Sequence, residues 1–143
     1  MTPMCQDSLS HALRGFTALP GPKARFDWLR RAAIETGGDV HLPEDSNWDT
    51  QVLSVKAHGI FAEGNGVEDL VHAWHKNAMR QVGRLGELAA ARHLICHGHG
   101  PIADRQMREA CEVILTDSLE PSLRLAAREI LRVLDAADRK TAA

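Results

Sequence analysis

Apolar residues recur along most of the chain three and four positions apart, the spacing of one face of a helix. In the stretch from Pro22 to Gly38 that stripe holds Arg25, Trp28, Leu29, Ala32 and Ala33. Pro22 suits a first helical turn, and Gly37–Gly38 suit a C-terminal end. A shorter helix is expected before it, through Asp7–Phe16. A longer one is expected from Asn65 or Gly66 to Gly98, with Val67, Val71, Trp74, Ala78, Val82, Leu85, Ala89 and Cys96 on one face. That register runs through Gly83 and Gly86, which reads as a continuous helix whose glycines admit a close neighbour. Pro101 opens a further helix with Ala103, Met107, Ala110, Cys111 and Ile114 on its stripe. Asp117 or Ser118 caps a last one, with Pro121 in its first turn and Leu119, Leu123, Ala127, Ile130 and Leu134 on its face. The last 40 residues therefore read as a helical hairpin.

Residues 51–63 fit two patterns: Trp48, Val52, Val55 and Gly59 keep helical spacing, whereas the residue types favour a strand or small hairpin. Leu53, Val55, Ala57 and Phe61 alternate, Val52, Val55, Ile60 and Phe61 favour strand, and His58–Gly59 suits a tight hairpin turn. Such an edge needs a partner, either the short run Asp39–Leu42 or a second subunit. The fold expected is mainly α, with four to five helices including one long one, and a small β element near 51–63; it becomes α+β if that element is a true hairpin. A single domain is expected over 1–143, with an N-terminal helical segment (1–38), a loop plus strand or hairpin (39–65) and a helical core (66–143).

Composition agrees with that reading. A chain of 143 residues with 44% hydrophobic and 25% charged residues can bury a globular core, and three Phe with no Tyr favour helix over sheet. A net charge of −2 argues against general attraction to nucleic acid or acidic membranes. The N-terminal sequence lacks the layout of a secretory signal, and no run is long and apolar enough to span a membrane. Cys5, Cys96 and Cys111 are odd in number and lack any C-x-x-C spacing, so a cytoplasmic protein with reduced thiols is expected.

The densest chemistry is "HLICHGHG" at 93–100. His93 and His97 have the i, i+4 spacing by which one helix gives zinc two ligands, with Cys96 and His99 beside them. The same residues also suit a helix end, where imidazolium meets the negative pole of the dipole. His72 and His75 lie too far along a continuous helix to join that set, and they read as packing residues. The five residues "HGHGP" resemble the start of the H-x-H-x-Asp-His metal loop of metallo-β-lactamases. Pro101 and Ile102 stand where that motif has Asp and His, and the chain is too short and too helical for a two-sheet sandwich, so that family is excluded. Cys96 and Cys111 fall on apolar stripes and read as core rather than as nucleophiles.

Arg124, Arg128 and Arg132 repeat at i, i+4, i+8, a stripe that can track phosphates or form a solvated helix face. "EGNG" precedes a helix but completes neither phosphate-loop pattern. Trp48, in a polar stretch, and Phe61, on the β element, are the candidate interface residues. No carboxylate pair or nucleophile–base set marks catalysis. The expected function is a small interaction or regulatory module without catalytic activity, binding a protein partner or itself as a homodimer. The alternatives are a metal-binding protein or metal-dependent enzyme with zinc at His93, Cys96, His97 and His99, and a nucleic-acid-associated regulator using the last helix. No other cofactor is expected.

Overall fold

In the computed structural model of the chain, His58 and Gly59 both adopt positive φ, 53° and 75°. That pair of conformations is the type I′ turn, whose twist matches that of flanking strands. It joins β2 (Val52–Ala57) to β3 (Ile60–Asn65) in an antiparallel hairpin running from Ala57↔Ile60 to Val52↔Asn65. One of the two partners expected for this hairpin is present: β1 (Asp39–His41) pairs antiparallel with β2, giving the order β1-β2-β3. The residues described are 6–42, 51–98 and 102–142; Trp48, His99 and Pro101 lie outside them. Among them the chain is mainly helical, with six helices and this one small sheet.

The chain divides into two compact units, Met1–Arg84 and Leu85–Ala143. In the first, α1 (Gln6–Thr17), α2 (Pro22–Glu35) and α3 (Val67–Gln81) accompany the sheet. Strand alternation sends Leu53, Val55, Ala57 and Ala62 inward and leaves Val52, Lys56, Phe61 and Glu63 exposed. The inner face meets α2 and α3 around Leu29, Ala33, Leu70, Val71 and Trp74, all essentially inaccessible to solvent. Phe16 brings α1 into this core, with ring centroids 5.0 Å from Trp74 and 5.2 Å from Trp28. The Trp74 indole N–H donates to the Ala57 carbonyl at 3.2 Å, which ties α3 to the hairpin turn. Gly64 is required here, because a Cβ at that position would strike the backbone of Asp69 and Leu70 at the start of α3.

The expected long helix is two helices. After α3 the chain turns at Gly83 (φ 74°), and α4 spans Leu85–His97. The Gly83 N–H donates to the Arg80 carbonyl and the Arg84 N–H to the Met79 carbonyl, the paired bonds of a Schellman cap. The same motif ends α2, where Gly37 and Gly38 donate to Ile34 and Ala33. No described atom lies within 4 Å of a Cβ placed at Gly83 or Gly86, so these glycines do not admit a neighbouring helix. Gly83 is there to stop one.

The second unit holds α4, α5 (Asp104–Asp117) and α6 (Pro121–Ala142). The last two form the expected hairpin. Ala91, Ala110, Cys111, Ile114, Leu123 and Ala127 make its buried cluster, and Leu88, Leu94, Met107 and Ile130 pack on it partly exposed. Small side chains at the centre let helices approach closely, while the larger ones seal the flanks. Arg108 clamps α5 to α6 through Asp135 and Asp138, and Arg92 joins α4 to Glu120 at 2.9 Å.

Two arginines perform the same task in different units. Arg25, on α2, is buried and donates to the carbonyls of Phe16, Thr17 and Leu19 at the end of α1. Arg124, on α6, donates to the carbonyls of Leu115 and Ser118 at the end of α5. Each supplies N–H groups to carbonyls that a helix terminus leaves without intrahelical partners.

Candidate functional site

The exposed face of the sheet is laid out by the hairpin register. Phe61 lies opposite Lys56, which lies opposite Asp39; Glu63 lies opposite Ser54, which lies opposite His41; Val52 lies opposite Asn65. Counted through the turn, Phe61 continues the series Leu53, Val55, Ala57. The two-residue turn resets that count, since Ala57 pairs with Ile60, and so Phe61 falls on the opposite face. Phe61 is 54% exposed and Val52 56%, two large apolar side chains on a face that otherwise carries charges of both signs. Trp48, the other interface candidate, lies outside the described residues.

The outer edge of β3 is partly occupied. In an antiparallel hairpin closed at Ala57↔Ile60, the backbone groups of Phe61, Glu63 and Asn65 point away from β2. The Asn77 side-chain amide donates to the Phe61 carbonyl at 2.9 Å, and the Asn65 N–H donates to the Asp69 carboxylate at 2.8 Å. Both partners come from α3. On the far side of the sheet the outward Val40 N–H donates to the Asp39 carboxylate at 2.9 Å. These side chains take some of the bonding positions that an added strand would need.

The histidines of α3 and α4 differ in environment. His75 is buried and lies near-parallel to the Phe16 ring, with centroids 6.2 Å apart, whereas His72 is exposed. His93 and His97 are exposed on adjacent turns of α4, their ring centroids 5.3 Å apart and their planes 45° apart. Cys96 is exposed as well, which corrects its expected place on an apolar stripe. That stripe was extrapolated across the Gly83 break, where the register of α3 ends. Cys111 is buried, and burial followed by the nearby Glu112 charge pushes its thiol pKa up. No group of three or more His, Cys, Asp or Glu among the described residues is placed to hold a metal ion. His99 lies outside those residues.

His58 carries a feature that sequence spacing did not expose. Its backbone is left-handed, its ring stacks on Trp28 with planes 23° apart, and its Nδ1 is buried with no hydrogen-bond partner among the described residues. Burial lowers its pKa from the usual histidine value, partly offset by the Glu35 charge. The His58 N–H donates to the Thr36 hydroxyl, which itself donates to the Ala32 carbonyl, so the turn is bound to the end of α2. The "HG" turn was visible in the sequence; its aromatic partner 30 residues earlier was not.

The arginine stripe of α6 is divided among different tasks. Arg124 is committed to the end of α5, and burial together with the neighbouring Arg128 lowers its pKa. Arg132 pairs with Glu129 at 2.9 Å, and Arg128 is exposed. A groove of about 570 Å³ lies between the starts of α2 and α3, floored by Phe26 and Val67 and rimmed by Lys23, Asp27 and Glu68. The Arg30 guanidinium stands 5.7 Å from the Phe26 ring centre beside it.

No protein-family model matches the chain, no curated protein matches it, and no solved structure matches it. No helix among the described residues is long and apolar enough to cross a membrane.

Proposed function

We propose that the chain is a cytoplasmic interaction module without catalysis of its own, whose partner is a second copy of the same chain. Its contact surface is the exposed face of the β1–β3 sheet, centred on Phe61. The observation that carries this reading is the exposure of Phe61 and Val52 on a sheet face whose polar positions are of both signs. Large apolar side chains on an open face lose contact with water when two faces pack, and aromatic anchors dominate such contacts. Asp39 lies directly opposite Lys56 and Glu63 diagonally from it, so the face carries charges of both signs that a second copy can match. The partly occupied edges favour face-to-face packing over strand addition. The cytoplasmic setting rests on the three cysteines and their lack of pairable spacing.

Sedimentation equilibrium on the unmodified chain and on Phe61→Asp tests the proposal. Association of the unmodified chain, with a monomeric variant of unchanged far-ultraviolet circular dichroism, supports it. A monomer at every concentration of the unmodified chain, or equal association of the variant, contradicts it.

A further inference from the structure

We infer that His93 and His97 form a two-imidazole chelate for a late divalent transition-metal ion on the exposed side of α4. Helix geometry sets the first condition. Side chains four apart stand one above the other on adjacent turns, about 5–6 Å apart at Cβ. The two rings are exposed, with centroids 5.3 Å apart and planes at 45°. A metal about 2.0–2.1 Å from one nitrogen of each imidazole lies roughly 3.2 Å from each ring centroid, and an N–metal–N angle near the tetrahedral value then sets the centroids about 5.2 Å apart. The observed separation matches that requirement.

The donor set selects the metal. Two neutral imidazoles with the remaining positions left to water suit Cu²⁺, Ni²⁺ and Zn²⁺, and disfavour the hard ions Mg²⁺ and Ca²⁺. No third His, Cys, Asp or Glu among the described residues joins the pair, and the inference is confined to the two imidazoles. The Irving–Williams order makes Cu²⁺ the tightest of the three and Mn²⁺ the weakest of the first-row divalent ions.

The test is calorimetric titration of the untagged full chain with Cu²⁺, Ni²⁺ or Zn²⁺ alone, repeated on His93→Gln, His97→Gln, Cys96→Ser and His72→Gln. The expected result is one ion per chain, with affinity lowered at least tenfold by His93→Gln and by His97→Gln alike. Cys96→Ser and His72→Gln leave it unchanged. Both chelating residues are exposed, so their loss does not disturb the core. Absence of stoichiometric binding, or binding that survives His93→Gln, overturns the inference; so does loss of binding in Cys96→Ser.

Discussion

The imidazole of His58 lies on the indole of Trp28 with ring centroids 5.6 Å apart and planes 23° apart. This contact joins the hairpin turn to α2. It holds the ring where burial favours the neutral form, with Glu35 opposing that effect in part. The pKa in the fold is therefore below the unfolded value of about 6.5. As pH falls through that value, the unfolded chain takes up a proton that the folded chain resists, and stability declines until the lower folded pKa is passed. Urea midpoints are expected to fall between pH 7.5 and pH 5.5, and to fall less in His58→Asn. Asparagine accepts the positive φ of the turn, so the hairpin survives the substitution. An equal acid loss in the variant would show that His58 is not the group responsible.

Gly83 and Gly86 separate backbone conformation from packing. A Cβ added at either position meets no described atom within 4 Å, but only Gly83 has positive φ. Gly83→Ala is expected to destabilise by about 1–2 kcal/mol, the cost of a left-handed non-glycine residue. Gly86→Ala, inside the first turn of α4, is expected to be neutral or stabilising by up to about 1 kcal/mol. Chemical denaturation of both variants checks the pair; equal effects would contradict the assignment of Gly83 as the stop.

Arg25 is a structural cation. Its substitution by Met keeps much of the packing but removes the Arg25 donor from the carbonyls of Thr17 and Leu19 and leaves Phe16 only the Leu19 N–H at 3.3 Å. A loss of about 2–3 kcal/mol is expected, in line with hydrogen bonds from a charged group. Arg25→Lys recovers only part of it, because an ammonium cannot reproduce the planar fork. Thermal unfolding of the two variants distinguishes these outcomes.

Much of this fold was legible in residue spacing. The hairpin was marked by His58–Gly59 between β-forming residues, and its partner by the short run at Asp39. The end of α2 was marked by Gly37–Gly38 at the point where its apolar stripe stopped. The end of α3 was missed because apolar residues at Val82 and Leu85 continue the period on both sides of Gly83. Periodicity alone does not distinguish one helix from two when a few apolar residues carry the spacing across the break; the left-handed glycine does. The misplaced Cys96 followed from that error. Arg25 fell on the apolar stripe of α2 for a reason that spacing cannot express, since its partners are backbone carbonyls of another helix. The same limit hid the roles of Asn77 and Asp69 on the β3 edge.

The most direct test of the proposed association is amide NMR of the unmodified chain over a dilution series. Face-to-face pairing of the sheets predicts concentration-dependent shifts centred on Val52, Ser54, Lys56, Phe61 and Glu63, with the resonances of α5 and α6 unmoved. Spectra that do not change on dilution, or changes confined to the helices of the second unit, would contradict it.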